Sequence, residues 1–179
     1  MVYVFLADGF EEMEALCPVD VLRRAGIDVK TVGVGSEIVN GTHNIPVKAD
    51  ITLDEVKLDD SLEMIVFPGG MPGADNLEKC DEVQAALDFC VVNDKYVAAI
   101  CAAPMILGHK GLLAGKNAVC FPGFESELYG ANISANGVEA DGDFVTGRSA
   151  GVALQFALKL VEVLRSKEDS EALRSSLKC

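Results

Sequence analysis

The sequence lacks the features that mark nucleic-acid-binding, membrane-spanning and secreted proteins. No run of basic residues is longer than the pair Arg23 and Arg24, and the formal net charge is -13. An acidic surface repels phosphate backbones, so nucleic-acid binding is disfavoured. No apolar run approaches the roughly 20 residues that cross a bilayer, so we expect no membrane span. The apolar N-terminal segment has no basic leader and indicates a first strand rather than a signal peptide.

Closely spaced cysteines are also absent, and histidine is rare. The six cysteines form no CxxC pair, and there are two histidines. Zinc sites and disulfide frameworks need such clusters, so we expect no metal site and a reducing, cytoplasmic setting. The plain interpretation of any single cysteine here is a small buried hydrophobic residue.

The sequence predicts one α/β domain covering residues 1–179. Half of its residues are hydrophobic, which is enough for a core without disulfides. No internal repeat or low-complexity linker divides it. Short apolar runs alternate with helical patterns, which predicts a mostly parallel sheet covered on both faces. The predicted strands are VYVFLA, DVKTVGV, LEMIVFPGG, KYVAAI and KNAVCF, and the predicted helices are DGFEEMEALCPVDVLRRAG, DEVQAALDFCVVND, the run after Cys101 and SAGVALQFALKLVEVLRS.

Local signals refine this outline. Asp8 and Glu11 have capping-box spacing at the start of the first helix, and Pro18 should bend that helix or lie near its start. Hairpins are predicted with turns at Asn40-Gly41 and Asp141-Gly142. The segment KEDSEALRSSLKC predicts a short final helix or a frayed tail.

Cys101 stands where a predicted strand ends and a predicted helix begins near Pro104. In such folds ligands bind at the carboxyl ends of the strands, which brings together the turn after the first strand, the PGG loop and Cys101. A helix N-terminus offers free N–H groups and partial positive charge, which lower the pKa of a thiol. Small neighbours leave room for a sharp strand-turn-helix elbow. The pattern favours a nucleophile no more than an inert buried cysteine.

Glu14 is the second unusual position. Its helical neighbours Cys17, Val21 and Ala25 are largely apolar, so this carboxyl should face the core. Burial would raise its pKa and let it donate a hydrogen bond to a thiolate. Taken alone, the pattern is better explained by the ordinary preference for acids in a first helical turn.

The PGG loop offers backbone donors, whereas the histidines offer no nearby base. Gly69 and Gly70 allow close approach to N–H groups that could hold an oxyanion, although a simple turn explains them equally well. His109 follows Cys101 by eight residues, roughly 12 Å along a regular helix, and fits a helix C-terminus better. His43 lies in a predicted hairpin. A Cys-His pair is therefore unsupported.

Four segments together resemble the DJ-one/ThiJ/PfpI superfamily: ADGFEEMEALCPVDVLRRAG, FPGGMPGADNL, VAAICAAP and TGRSAGVALQFAL. The resemblance implies a flavodoxin-like (class I glutamine amidotransferase-like) three-layer sandwich with a cysteine nucleophile elbow. It implies a homodimer, with Arg24 and Arg148 near the contact, and no cofactor. It also implies that Cys101 is the reactive cysteine, that Glu14 hydrogen-bonds its sulfur, and that the N–H groups of Gly70 and Ala102, beside Gly69, form the oxyanion pocket.

The activity that the resemblance implies is cofactor-free removal of reactive carbonyls, by deglycase or glyoxalase chemistry on methylglyoxal or glyoxal adducts. Glycated proteins or small carbonyls would be the partners. The alternatives are a redox sensor or holdase chaperone, switched by oxidation of Cys101 to the sulfinate, and a non-catalytic dimeric scaffold. Ala102 replaces the histidine of the protease-like branch, which argues against peptidase activity. Phe121 replaces a histidine found in other members and puts efficient glyoxalase turnover in doubt. The sequence assigns no role to the neighbouring Cys120.

Overall fold

A computed structural model describes all 179 residues. The chain forms eleven strands and six α-helices, and helices follow several of the strands that the apolar runs predict. The strands are β1 (Val2–Leu6), β2 (Val29–Gly33), β3 (Ile38–Asn40), β4 (Pro46–Lys48), β5 (Ile51–Thr52), β6 (Met64–Phe67), β7 (Tyr96–Ile100), β8 (Asn117–Ala118), β9 (Asn132–Ile133), β10 (Val138–Asp141) and β11 (Phe144–Gly147). The helices are α1 (Glu12–Arg24), α2 (Gly73–Glu78), α3 (Asp81–Val92), α4 (Pro104–His109), α5 (Ala153–Leu164) and α6 (Lys167–Leu177).

The central sheet has seven strands in the order β10-β11-β7-β6-β1-β2-β5. Every neighbouring pair is parallel except β10 and β11, which form an antiparallel hairpin at one edge. Apart from the two-residue strand β5, the parallel strands follow the order second, first, third, fourth, fifth. This is the flavodoxin-like order, so the predicted fold class is confirmed.

Successive side chains of the buried strands point to opposite faces of the sheet, and this alternation explains the layers on either side. In β1, Tyr3 and Phe5 belong to the apolar cluster that includes residues of α2, α3 and α4. Val4 and Leu6 point the other way, into the cluster that includes residues of α1 and α5. A strand with both faces buried must be apolar throughout, which is why its sequence is a continuous apolar run.

The start of α1 differs from the capping-box prediction. The helix begins at Glu12, and its cap is Glu11, whose Oε2 accepts a hydrogen bond from the Glu14 N–H at 2.7 Å. Asp8 lies in the preceding turn, where its Oδ1 accepts from the Asn40 N–H at 2.8 Å. Pro18 lies inside the helix.

Both predicted hairpins form, with shifted turns. β3 and β4 pair as Asn40 with Pro46, so residues 41–45 form a five-residue loop rather than a two-residue turn at Asn40-Gly41. Asp141 pairs with Phe144, so the other turn centres on residues 142 and 143. β8 pairs with β9 outside the central sheet. The short helix α2 was not predicted, and the C-terminal segment forms α6.

The helices are too short or too polar to cross a bilayer. The longest, α1, has 13 residues. A span needs about 20.

Candidate functional site

Three adjacent parallel strands bring the candidate residues to one edge of the sheet. β6 lies between β1 and β7 in the sheet. Glu14 follows β1 in the first turn of α1, Gly69 and Gly70 follow β6, and Cys101 follows β7. The structure therefore brings together the residues that the sequence selected.

Cys101 has the backbone conformation of a nucleophile elbow. Its φ angle is +66°, in the left-handed region that side chains other than glycine rarely adopt. Two hydrogen bonds hold this conformation: the Cys101 N–H donates to the Gly147 carbonyl at 2.9 Å, and the Cys101 carbonyl accepts from the Phe121 N–H at 2.7 Å. Strain of this kind persists only when the surrounding structure imposes it, and it is concentrated at functional sites.

The Glu14 carboxyl is enclosed beside this elbow. The residue is 1% exposed, and its Oε2 accepts a hydrogen bond from the Gly69 N–H at 3.0 Å. Position 69 must be glycine, because a Cβ there would come within 2.5 Å of Glu14 Oε2 and 2.6 Å of Cys101 Cβ. Glu14 Oε1 is buried and has no hydrogen-bond partner. It is thus an acceptor left available at the site.

Burial of Glu14 raises its pKa to about 7. The nearby Cys101 thiol and the N–H groups of Gly69 and Ala150 lower it, while the Glu11 charge raises it further. At neutral pH the carboxyl therefore exists in both protonation states, as a proton-transfer group requires.

The thiol itself differs from the sequence-based expectation. Burial, followed by the Glu14 charge, raises the pKa of Cys101 to about 12, whereas the N–H groups of Ala102 and Gly70 act to lower it. Desolvation of a thiolate outweighs two backbone donors, so the predicted lowering of the Cys101 pKa is wrong. When Glu14 takes up a proton, its charge disappears and ionisation of the thiol becomes easier. The two groups act as one coupled acid.

The predicted oxyanion donors divide into two roles. The Gly70 and Ala102 N–H groups lie near enough to the sulfur to act to lower the pKa of the thiol. The Gly69 N–H is already used by Glu14, so Gly69 positions the acid instead of facing a substrate. Ala150 was missed as a contributor to the Glu14 environment. The segment TGRSAG contained the signal, since it was part of the resemblance, but no local pattern assigns Ala150 a role.

No histidine reaches this site. His43 Nδ1 lies 2.6 Å from Glu12 Oε2 in the β3-β4 loop. His109 ends α4 as predicted, with its ring nitrogens 2.5 Å from Glu78 Oε1 and 2.9 Å from Glu127 Oε2. Phe121 contributes its backbone N–H to the elbow, and the residue is 43% exposed.

The other cysteine and arginine candidates have structural explanations. Cys120 is buried, and burial raises the pKa of its thiol to about 11. Arg24 pairs with Asp20 on the surface of α1, and the Arg148 guanidinium donates to the Ala135 carbonyl at 2.6 Å. Their placement near a dimer contact remains a prediction.

Comparison with known proteins gives a consistent set of relatives. The sequence matches the DJ-1/PfpI family over residues 1–163. Protein dj-1beta of Drosophila melanogaster is 34% identical over 177 residues, which cover 97% of this chain and 94% of that protein. Protein DJ-1 homolog B of Arabidopsis thaliana is 37% identical over 170 residues, 93% of this chain but 39% of that protein. The chain spans less than half the length of both Arabidopsis relatives it matches.

Solved structures and two further relatives are consistent with the match to the DJ-1/PfpI family. The structure of oxidized DJ-1 from Toxoplasma gondii aligns with a TM-score of 0.93 at 35% identity, covering 98% of this chain and 96% of that chain. The glutathione-independent glyoxalase DJR-1.2 of Caenorhabditis elegans is 30% identical over 93% of this chain and 89% of that protein. A deglycase of Pyrococcus abyssi is 29% identical over 92% of this chain and 99% of that protein.

Proposed function

The chain belongs to the DJ-1/PfpI family, and on that premise we propose that it is a cofactor-free enzyme acting on small reactive carbonyls such as methylglyoxal, or on their adducts with proteins. The observation that carries the proposal is the enclosed Glu14 carboxyl beside the Cys101 elbow, where the Gly70 and Ala102 N–H groups act on the pKa of the thiol. Relatives named as a glyoxalase and a deglycase support this choice of substrate class.

Addition to the carbonyl uses each part of this geometry. Glu14 as carboxylate takes the thiol proton while Cys101 Sγ bonds to the aldehyde carbon. The carbonyl electron pair moves onto oxygen, where the Gly70 and Ala102 N–H groups stabilise the oxyanion. Glu14 then returns the proton, which gives a hemithioacetal.

The remaining steps need only proton transfer and water. A proton moves from the first carbon to the second, which converts the hemithioacetal of methylglyoxal into a thioester. Water then cleaves the thioester and restores the thiol. The sum is methylglyoxal plus water giving lactate, with no external oxidant or reductant. Because Phe121 offers no titratable group, Glu14 carries every proton, and we expect slow turnover.

Lactate formation from methylglyoxal by the purified protein tests this function. We expect Cys101→Ser to lower the rate by at least about a hundredfold, because a neutral hydroxyl is a weak nucleophile. Cys80→Ser is the matched control, since Cys80 is a half-exposed cysteine at the start of α3. Equal rates for wild type and Cys101→Ser would refute the assignment of the nucleophile.

A redox sensor is the second candidate, favoured by the unpartnered Glu14 Oε1, because the protonated carboxyl can donate a hydrogen bond to a sulfinate oxygen. Two peroxide molecules would oxidise the thiolate to a sulfinate and leave two waters, and the Gly70 and Ala102 N–H groups could hold the new oxygens. Mass spectrometry after mild peroxide separates the candidates. Two oxygens on Cys101 alone, together with negligible lactate formation, favour sensing, whereas scattered oxidation of all six cysteines argues against it.

A homodimer is also proposed. An apolar groove of about 530 Å³ lies between α1 and the start of α5, and Met13 and Leu16 on its α1 side are exposed. Exposed apolar surface of this kind commonly marks an interface. Light scattering should give twice the mass of 19.0 kDa. Substituting Met13→Glu should then give the monomer. Residence in the cytoplasm stays a prediction.

A further inference from the structure

The loop between β3 and β4 encloses the carboxylate of Glu12. The His43 N–H donates to Glu12 Oε1 at 2.7 Å, and on Oε2 the Thr42 hydroxyl and His43 Nδ1 lie at 3.2 Å and 2.6 Å. The Glu12 side chain is 7% exposed, whereas that of His43 is 67% exposed. A Cβ at position 41 would lie 2.2 Å from Glu12 Oε1, so glycine lets the loop close around the carboxylate in its present position. The loop is shaped around this carboxylate.

The same loop is tied to the turn between β1 and α1. Phe10 and Gly41 form an isolated parallel bridge, and the Thr42 N–H donates to the Phe10 carbonyl at 2.9 Å. The Gly9 N–H donates to the Asn40 carbonyl at 2.8 Å. These contacts join the loop to the turn along most of the turn's length.

The turn between β1 and α1 also contacts the candidate site. The Glu11 N–H donates to the Gly69 carbonyl at 2.9 Å, and the Gly73 N–H donates to the Gly9 carbonyl at 3.2 Å. A Cβ at Gly70 would come within 2.5 Å of both the Glu11 nitrogen and the Gly9 oxygen. The turn between β1 and α1 and the PGG loop therefore cannot shift independently of each other.

We propose that the Glu12–His43 pair is a positioning device for the site: it fixes the turn that holds Glu14 and Gly70 against Cys101. Glu14 lies two residues after Glu12 on the same helix, so movement of the start of the helix moves the acid directly. His43 is a positioning residue that touches neither the sulfur nor a substrate. The effect on turnover rests on the proposed function, whereas the effect on the turn does not.

The pair also makes this positioning depend on pH. The charged groups facing the imidazole are Glu12, its direct partner, and Glu11, and both raise the pKa of His43. Burial works to raise the pKa of Glu12, but its hydrogen bonds with His43 bring it down to about 2, so Glu12 stays ionised. The contribution of the His43 charge is complete below its ordinary pKa of 6.5 and is lost as pH rises through the raised value.

Amide hydrogen exchange, followed by mass spectrometry, tests the proposal in three variants of His43. His43→Ala removes the side-chain donor, His43→Asn keeps a neutral donor, and His43→Arg keeps a charged donor at every pH. At pH below 6.5 we expect His43→Ala to speed exchange about two- to fivefold in residues 8–11 and 69–73, a size typical of an ion pair with one exposed partner. His43→Asn should be intermediate, and His43→Arg should match the wild type.

The pH dependence supplies a second readout. After correction for intrinsic exchange rates, protection of residues 8–11 in the wild type should fall as pH rises, while that of His43→Arg should not. His109→Gln removes the only other histidine and should leave both segments unchanged. Faster exchange confined to residues 41–45, or His43→Arg behaving like His43→Ala, would overturn the proposal.

Turnover separates this inference from the proposed function. If the wild type forms lactate from methylglyoxal, we expect His43→Ala to lower kcat about two- to fivefold and to reproduce the high-pH rate of the wild type. A wild type that forms no lactate removes the proposed enzyme activity, and the exchange pattern still decides whether His43 positions the turn.

Discussion

Replacing Glu14 with glutamine removes the proton-binding group of the site while preserving its shape. The glutamine Oε1 can still accept the hydrogen bond that the Gly69 N–H donates to Glu14 Oε2. What disappears is the carboxyl whose pKa burial raises from 4.5 to about 7. The substitution therefore isolates the energetic effect of burying an ionisable group at this position.

The size and sign of the effect follow from proton linkage. A folded-state pKa above the ordinary value means that the folded protein binds the proton more tightly. The stability due to the protonated carboxyl is complete below pH 4.5 and is lost as pH rises through about 7. A pKa difference of this size corresponds to about 3 kcal/mol. The wild type should lose that amount over this range, and Glu14→Gln should not.

Urea unfolding followed by circular dichroism measures the difference. We expect the free energy of unfolding of the wild type to fall as pH rises from acidic to mildly alkaline, while that of Glu14→Gln stays level. The difference between the two proteins should therefore change by about 3 kcal/mol in favour of Glu14→Gln. Parallel pH profiles for the two proteins would show that the carboxyl is not desolvated and would refute the reasoning. Loss of the charge should also lower the Cys101 pKa, so alkylation of the thiol speeds up while turnover falls about 10²–10⁴-fold.

Three further predictions concern strain, packing and pH. Cys101→Gly should be more stable to urea than Cys101→Ala by about 1 kcal/mol, because only glycine adopts φ +66° freely; equal stability would mean an unstrained elbow. Gly69→Ala should abolish turnover and cost about 1–3 kcal/mol through overpacking. Gly151→Ala, where the nearest atom beyond the chain neighbours is 3.8 Å away, should change stability by less than about 0.5 kcal/mol, and similar losses in both would contradict the packing argument. His109→Gln should cost less than about 1 kcal/mol, mainly at acidic pH, because the hydrogen bonds that the imidazole donates to Glu127 and Glu78 raise the pKa of His109, and the stabilisation is lost as pH rises through it; a pH-independent cost would argue against a charged imidazole.

The fold could be predicted from the sequence because its dominant signal is local. β1, β6 and β7 are short apolar runs with both faces buried, and no other role suits such runs at regular spacing between helical patterns. Pro104 marks the start of α4 because its missing N–H costs nothing at the first helical position. The position of Cys101 at an elbow follows directly from these two boundaries.

The protonation chemistry could not be predicted, because it depends on contacts between distant segments. Glu14 and Gly69 are 55 residues apart in sequence, and no pattern within α1 shows that the carboxyl is enclosed. The sign of the Cys101 pKa shift required a comparison of burial with two backbone donors, which needs coordinates. The loop around Glu12 was likewise hidden, since an Asn-Gly pair ordinarily suggests a two-residue turn.

The two hydrogen bonds that hold the Cys101 elbow come from Phe121 and Gly147, 20 and 46 residues further along the chain. During synthesis on the ribosome, residue 101 therefore emerges well before the segments that impose its left-handed backbone. Until they emerge it is an ordinary flexible cysteine with no reason to keep that conformation. The nascent chain thus gains its special thiol only after residue 147 has emerged and β11 has joined the sheet.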